Sequence, residues 1–431
     1  MKSRFLKDGA TLISGNLWAQ GIAFGAYLLL ARLFTREDIG LYNVFYSYIE
    51  VLLIVSTCKY ESAVVIAESE REAVAVSRLA LRLNSWISLA LLTLIAAVHW
   101  LCPGSRIALI NSHFPIALLI PPMVFFCGTS RVYTALLNRY RNFDHIALSE
   151  VVGSTVGALL KVLMGLPRLA ATWLHTLGLP LGTVAGKVAS NVNLRLRVRR
   201  IVPSFDIAKG ERRGAARKYR NFPLYTMPKD LVNSLSHNLP FLWLAAYADQ
   251  AEVGLFAMAL TFTFRPMNIL YVAFEKLLYV DIAEKVRAGQ SIRKDLMQFI
   301  KYLNLIALPL FVLLFFFGDV LFGFLFSARW AGCGFYIRCL LPWVYVTLTS
   351  ASLIFLSNVF AKQRTEFGFY LVLLVLRVAA VIVGIATGNF RLAILLFSLS
   401  GAVVNAGLLV WCLRLVALFE AGTLKGKNDA Q

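Results

Sequence analysis

The chain has 431 residues, of which 59% are hydrophobic and 15% charged, and its formal net charge is +20. Soluble domains are about 45–50% apolar and about 25% charged, so this composition excludes a soluble globular protein and predicts one embedded in a membrane. The six cysteines show neither CxxC spacing nor an accompanying histidine cluster, which argues against a disulfide framework and against a cysteine-rich metal site.

Twelve windows of mainly apolar residues follow one another along the chain, each with the length of about 20 residues that a helix needs to cross a bilayer. They fall near residues 10–34, 41–66, 77–100, 114–137, 143–166, 170–194, 223–248, 252–280, 297–326, 338–361, 366–387 and 391–418. The sequence therefore predicts an all-α polytopic membrane protein with about twelve transmembrane helices.

The lysines and arginines between the predicted spans indicate the orientation. If the N-terminus is inside, the segments on that side carry 25 of them, ten within residues 195–222, whereas the outer loops carry few. By the positive-inside rule, both termini are then cytoplasmic. Arg139 and Arg141, which follow the fourth span, are predicted determinants of this topology. We expect the basic segment 195–222 to set the topology and to connect two halves of the protein; a patch that binds nucleic acid or lipid headgroups is the alternative.

Two parts of the chain resemble each other at a constant offset of 214 residues. Gly40-Leu41 corresponds to Gly254-Leu255, Asp38 to Glu252, Tyr42 to Phe256 and Glu61 to Glu275. This repeat predicts an N-terminal lobe at 1–194, a basic linker at 195–222, a C-terminal lobe at 223–418 and a cytoplasmic tail at 419–431. Because each lobe contains an even number of spans, the two lobes should share one orientation and surround a central cavity.

Ionisable and polar side chains inside the predicted spans mark candidate binding residues, because a charge that faces lipid costs about 2.5–3.5 kcal/mol on insertion scales. Glu50 and Arg265 occupy nearly equivalent depths in the two halves. The full set predicted to contact substrate is Arg265, Glu50, Lys59, Arg131, Arg377, Asn233 and His237. A structural salt bridge between the halves, or a hydrogen-bonded helix interface, stays open as the alternative.

The stretch VSTCKYESAVVIA, residues 55–67, places Lys59 and Glu61 within the second predicted span. At 1.5 Å per residue, both lie about 8–10 Å from its cytoplasmic end. They are expected either to reach headgroup water or to pair, with each other or with Arg78 and Arg82 of the third span. The stretch is therefore interpreted as the cytoplasmic entrance to a binding site farther in.

Residues 28–52, LLLARLFTREDIGLYNVFYSYIEVL, and residues 59–73, KYESAVVIAESEREA, resemble the polysaccharide transporter family. These are the Wzx-type flippases of the multidrug/oligosaccharidyl-lipid/polysaccharide (MOP) exporter superfamily. The resemblance implies a MATE-like bundle of two lobes. It also implies translocation of an undecaprenyl-pyrophosphate-linked oligosaccharide, an O-antigen, capsule or exopolysaccharide repeat unit, to the outer leaflet of a bacterial inner membrane by alternating access.

The same resemblance implies roles for individual residues and partners. In relatives the cavity carries cations on the first, second, seventh and eighth spans, so Arg265 and Lys59 are the positions carried over. Coupling to H⁺ or Na⁺ is implied, with Glu50, Glu61 or His237 as carrier and without any other cofactor. The implied partners are the lipid-linked oligosaccharide, membrane lipids, a polysaccharide polymerase and other assembly proteins.

Two other functions remain as alternatives. A cation-coupled MATE-like drug antiporter is disfavoured because such exporters use buried acids, whereas Arg265 and Arg377 are cations. A membrane polysaccharide polymerase or ligase is disfavoured because the outer loops are too short for the large loop that those enzymes carry. The chain has no GxxxxGK[ST] phosphate-binding loop, which argues against ATP-driven pumping. We therefore predict a transporter rather than an enzyme.

Overall fold

The computed structural model describes residues 21–22, 25–101, 109, 113–166, 173–203, 205–243, 247–360 and 362–422, and all regular secondary structure within these ranges is helical. Seven of the described helices are long and apolar enough to cross a membrane. They are Arg36–Ser56, Glu70–Leu101, Phe114–Arg139, Phe143–Met164, Arg293–Phe326, Gln363–Thr387 and Phe390–Glu420. The predicted all-α class is confirmed.

The helices follow the predicted spans in order. They are α1 (25–33), α2 (Arg36–Ser56), α3 (Tyr60–Ile66), α4 (Glu70–Leu101), α5 (Ile120–Arg139), α6 (Phe143–Met164), α7 (Trp173–Ile201), α8 (Lys209–Lys218), α9 (Met227–Leu242), α10 (Gln250–Arg287), α11 (Arg293–Phe326), α12 (Cys333–Leu353), α13 (Gln363–Thr387) and α14 (Phe390–Glu420). Helices coincide with the second to the twelfth predicted spans, whereas the beginning of the first falls outside the described residues. The total of twelve crossings stays a prediction.

The chain packs as two compact units, Met1–Ser234 and Leu235–Gln431. The boundary lies within α9, so the basic segment 195–222 belongs to the first unit. In the N-terminal unit, α6 packs along α7, and α5 packs against both α4 and α7. In the C-terminal unit, α12 packs against α10, α11 and α14. The lobe and linker boundaries that the repeat indicates stay a prediction.

Acidic side chains hold the starts of the two helices that carry the repeated Gly-Leu sequence. At the start of α2, the Thr35 hydroxyl accepts the N–H of Asp38, and the Asp38 carboxylate accepts the N–H of Thr35 at 3.1 Å. Glu252, also the third residue of its helix, accepts a hydrogen bond from Tyr336 and pairs with Arg391 at 2.7 Å. Because an acid in the first turn opposes the positive end of the helix dipole, it stabilises both starts.

Glycines allow α6 and α7 to approach each other closely. A methyl group added at Gly186 of α7 would lie 2.5 Å from the carbonyl oxygen of Gly153 of α6. One added at Gly157 of α6 would lie 3.1 Å from the carbonyl oxygen of Gly182 of α7. Small residues in this spacing are typical of close helix pairs in membranes. The contact brings together the side chains that flank the glycines on the two helices.

Candidate functional site

The second predicted span is interrupted at residues 57–59. α2 ends at Ser56, Cys58 and Lys59 have φ values of 50° and 61°, and α3 begins at Tyr60. The Ser56 hydroxyl donates to the carbonyl oxygen of Leu53 at 3.0 Å, which satisfies an acceptor that the end of the helix leaves open. The prediction of one continuous helix over residues 41–66 is therefore wrong at this point.

Side chains hold both ends of the short helix α3. At its start, buried Glu61 accepts a hydrogen bond from the Thr57 hydroxyl at 2.5 Å. At its end, Nη1 of Arg139 donates to three carbonyl oxygens, of which that of Ala67 is the nearest at 2.7 Å. A cation at this position also opposes the negative end of the helix dipole. Arg139, predicted as a topology determinant, thus caps α3 as well.

Lys59 forms an ion pair at the break between α2 and α3. Its Nζ lies 2.7 Å from Oδ2 of Asp230, and the two side chains are 17% and 32% exposed. Asp230 belongs to the first turn of α9, so the pair connects the second and seventh predicted spans within the N-terminal unit. The expected pairing of Lys59 with Glu61 does not form, because each side chain has another partner.

Polar side chains from α2, α6 and α7 meet beside the glycine contact. The Tyr42 hydroxyl lies 3.0 Å from the Thr183 hydroxyl and accepts a hydrogen bond from Nζ of Lys161 at 3.4 Å. The same Nζ lies 5.0 Å from the centre of the Tyr42 ring, a cation–π contact. One turn along α7, Nζ of Lys187 lies 3.5 Å from Oε1 of Glu150. We call these five residues the polar stripe.

The polar stripe contains two ammonium groups and one carboxylate, so its net charge is positive. Lys187 and Glu150 are 28% and 38% exposed, and Lys161 is half-buried. An excess of positive charge in a half-buried setting favours an anionic ligand. The sequence analysis missed all three residues. They are ionisable groups within the windows 143–166 and 170–194, and that signal was sufficient to find them.

Two predicted residues of the N-terminal unit lie on helices that carry or adjoin the polar stripe. Glu50 is exposed on α2, two turns or about 12 Å from Tyr42 and on the same face. Tyr46 lies between them, with its ring centre 6.2 Å from that of Tyr42. Arg131 is half-buried on α5, and its buried Nη1 has no hydrogen-bond partner among the described residues.

Arg377 lies inside the C-terminal unit and is 0% exposed. Its guanidinium carbon is 4.4 Å from the ring centre of Trp343 and 4.0 Å from that of Phe397. Nη1 donates to the backbone and side-chain oxygens of Ser236 at 3.3 Å. This arginine therefore links α13 to α9, α12 and α14, and in this arrangement it presents no surface to a substrate.

The other predicted residues lie on α9 and α10. His237 is half-buried, with its ring centre 5.4 Å from that of Trp343 and 5.7 Å from that of Phe264. Asn233 is half-buried one turn earlier on α9. Arg265 belongs to α10, but its side chain falls outside the described residues. Within the described part of the chain, no group of three His, Cys, Asp or Glu residues is placed to hold a metal ion.

A known protein family matches most of this chain. The family is described as "Polysaccharide biosynthesis protein", and its sequence profile matches residues 29–334. The chain belongs to this family. The matched range includes α2, α6 and α7, so the polar stripe lies within the family's common part. None of the curated proteins matches this chain in sequence.

Solved structures of transporters share its fold. An inward-facing MATE family multidrug resistance transporter of the MOP superfamily superposes with a TM-score of 0.71 and 14% identity, covering 93% of this chain and 96% of that one. The lipid II flippase MurJ in an inward closed conformation gives 0.72 and 13%, covering 96% and 90%.

A third structure is a MOP superfamily transporter from Pyrococcus furiosus, described by the reverse polarity of its binding pocket. It gives a TM-score of 0.66 and 14% identity, covering 96% of both chains. This chain therefore has the fold of MOP superfamily transporters, as its resemblance to Wzx-type flippases implied. The expected fold class is confirmed.

Proposed function

We propose that this protein is a flippase that moves a lipid-linked oligosaccharide across a bacterial inner membrane by alternating access. The observation that carries the proposal is the pair of lysines in the polar stripe. A lysine inside a membrane span costs about 2.5–3.5 kcal/mol when it faces lipid. Lys161 is a half-buried side chain of the apolar helix α6, and Lys187 is a half-buried side chain of α7, which packs along it. The chain belongs to a polysaccharide biosynthesis family and has a transporter fold. Binding of an anionic substrate would explain why both positive charges are present.

The chemistry of the polar stripe suits a pyrophosphate-linked sugar. Each ammonium group of Lys161 and Lys187 supplies three donors for phosphate oxygens. The Tyr42 and Thr183 hydroxyls both donate and accept hydrogen bonds, as sugar hydroxyls require. The Glu150 carboxylate 3.5 Å from Lys187 reduces the excess positive charge. This limits the affinity, so that the anion is released after it crosses.

Lys59 is a further cation in the same unit as Lys161 and Lys187, and one of the two positions that the family resemblance carries over. Its carboxylate partner, Asp230, is 2.7 Å away, and both side chains are partly exposed. A phosphate oxygen can take the place of this carboxylate, because both are anionic acceptors for an ammonium group. We assign Lys59 to first contact with the pyrophosphate. Arg265 is proposed as its counterpart in the C-terminal unit, whereas Arg377 is assigned to packing.

Further parts of the proposal concern energy coupling and location. Glu50, exposed on the face of α2 that carries Tyr42, is the proposed carrier of H⁺ or Na⁺. Glu61 and His237 remain the alternative carriers of the coupling ion. Both termini are proposed to be cytoplasmic, as the distribution of basic residues predicts. A polysaccharide polymerase and assembly proteins are the proposed partners.

A cation-coupled drug antiporter is the second candidate, and the similarity to a MATE family transporter favours it. Its cationic substrates would need the acids Glu50 and Glu150 as their ligands. Reconstituted protein distinguishes the two functions. Proton release on adding cationic drugs to proteoliposomes supports the antiporter, whereas movement of a fluorescent undecaprenyl-pyrophosphate sugar supports the flippase.

The deciding experiment deletes the gene and complements it with variants. Deletion should abolish surface polysaccharide and leave undecaprenyl-linked repeat units on the inner leaflet. Lys161→Gln/Lys187→Gln should fail to restore export, because both ammonium groups are lost. Lys161→Arg/Lys187→Arg should restore much of it, because the charge remains. Unchanged surface polysaccharide in the deletion strain would refute the function.

A matched control separates the site from general damage. Lys301 is exposed in the third turn of α11 and Lys362 is exposed before α13, so Lys301→Gln/Lys362→Gln removes the same charge from an unrelated place. This control should restore export in full at equal membrane levels. Wild-type export by well-inserted Lys161→Gln/Lys187→Gln would exclude the polar stripe as the binding site, while leaving the flippase function itself in place.

A further inference from the structure

The basic segment between α7 and α9 forms an ordered element that is docked on the N-terminal unit. Its helix α8 buries Ala215, and Tyr219 directly after the helix is buried as well. Both belong to an apolar cluster with Tyr60 and Val76. The Tyr60 hydroxyl also donates to the carbonyl oxygen of Ala216 at 3.2 Å. One face of α8 is therefore fixed against α3 and α4.

Ion pairs reinforce this docking on both sides of the buried face. Nε of Arg71 donates to Oε1 of Glu211 at 2.5 Å, and this hydrogen bond lowers the pKa of the Glu211 carboxyl. Nζ of Lys218 lies 2.7 Å from Glu72 and 2.9 Å from Glu68, and the bonds to these carboxylates raise the pKa of Lys218. The docking therefore uses the one acid of α8 and only one of its basic residues.

The opposite face of α8 carries basic residues that make no such contacts. Lys209, Arg213 and Arg217 of α8 are exposed, as is Arg220 two residues after its end, and none of the four side chains has a hydrogen bond or an ion pair within the described part of the chain. At 100° per residue, the two spacings of four residues place the three helical cations within an arc of about 80°. We call these four residues the basic face. Docking holds it in a fixed direction, away from the N-terminal unit.

The position of the basic face in the chain keeps it near the end of α7. α7 ends at Ile201, eight residues before Lys209, and eight residues reach about 28 Å at most. On the other side, Leu224 and Tyr225 leave 59% and 72% of their surface exposed four and five residues after Arg220. Exposed apolar and aromatic side chains beside basic ones are typical of elements that lie at a bilayer interface.

We propose that the basic face binds the headgroups of acidic phospholipids in the adjacent leaflet. A membrane surface is favoured over a soluble partner by four cations without ion pairs, three on one face of α8 and one just after it. The two neighbouring apolar side chains and the tether to α7 favour it as well. Basic residues close to an acidic surface each contribute about fivefold in affinity. Nothing in this proposal depends on the cargo of the transporter, so it stands or fails separately from the flippase function.

The test measures lipid binding to the full-length protein in detergent micelles by native mass spectrometry, with phosphatidylglycerol and phosphatidylcholine as probes. Wild type should bind phosphatidylglycerol more tightly, and the preference should weaken as ionic strength rises. Arg213→Gln/Arg217→Gln should weaken phosphatidylglycerol binding by about 25-fold, two steps of about fivefold. Arg213→Lys/Arg217→Lys should retain it, because the charge is kept.

The matched control is Arg293→Gln/Lys294→Gln, which removes two exposed basic residues at the start of α11 in the other unit. It should leave phosphatidylglycerol binding unchanged. Equal affinity of wild type and Arg213→Gln/Arg217→Gln would overturn the proposal, as would equal binding of the two lipids. Tighter binding of an RNA oligonucleotide through the same arginines would overturn it in favour of a nucleic-acid surface.

Discussion

A single methyl group at Gly186 should force α6 and α7 apart. In Gly186→Ala the new Cβ would lie 2.5 Å from the Gly153 carbonyl oxygen and 3.1 Å from the Cα of Gly157. Carbon and oxygen atoms in such contacts normally stay about 3.3–3.6 Å apart, so the helices must separate by about 1 Å. Overpacking of this kind costs about 1–3 kcal/mol. The better helix propensity of alanine returns about 1 kcal/mol, which leaves a net loss of up to about 2 kcal/mol.

The separation should also disturb the polar stripe, because Lys187 and Glu150 flank the glycine contact at 3.5 Å. Gly186→Ala should therefore lower both the melting temperature of the purified protein and its polysaccharide export. Gly368→Ala is the control, since a Cβ there meets nothing within 4 Å and the site is also helical. It should melt at or above the wild-type temperature. If Gly186→Ala also did so, the close approach of α6 and α7 would be refuted.

Three further changes test other contacts. Lys59→Asp and Asp230→Lys should each reduce export. If the 2.7 Å ion pair stabilises the contact of α9 with the break between α2 and α3, the double exchange should restore the melting temperature of the purified protein. Arg377→Lys should cost about 2 kcal/mol in a melting experiment, because lysine cannot stack between two rings, whereas exposed Arg364→Lys should cost almost nothing. The hydrogen bond from Arg71 lowers the pKa of Glu211, so the pair of Arg71 and Glu211 contributes its full stabilisation of the docked linker at pH values above the usual glutamate pKa of about 4.3. This contribution is lost as the pH falls below about 4.3. Hydrogen exchange in residues 205–220 should therefore increase only below that pH.

The positions of the helices could be predicted because they depend on apolar length alone. Each span must cover about 30 Å of hydrocarbon, and runs of about 20 apolar residues are visible without any alignment. The break at 57–59 was not predictable in this way. Cys58 and Lys59 adopt left-handed backbone angles that usually call for glycine, and no glycine marks the place.

Individual polar contacts were harder to predict than the spans. Lys59 pairs with Asp230, 171 residues farther along the chain (230 minus 59), and hydropathy carries no information on such pairs. Lys161 and Lys187 could be found as single charges within predicted spans, but the sequence does not show which residues they contact. Arg377 illustrates the opposite error. A charge deep in a span predicts a polar setting, yet stacking on aromatic rings provides another way to accommodate it.

Arg139 has two separate roles: its charge contributes to the predicted membrane orientation, and its side chain caps α3. The orientation of a membrane protein depends on how many basic residues a loop contains, and it tolerates their movement along that loop. The end of α3 does not tolerate such movement of the charge. A helix of seven residues is too short to be stable alone, and its terminal carbonyl groups need a hydrogen-bond donor within reach. Exchanging Arg139 with Asn138 would keep the charge of the loop unchanged and leave α3 without its cap. Selection at this position should therefore preserve the place of the charge as well as its presence.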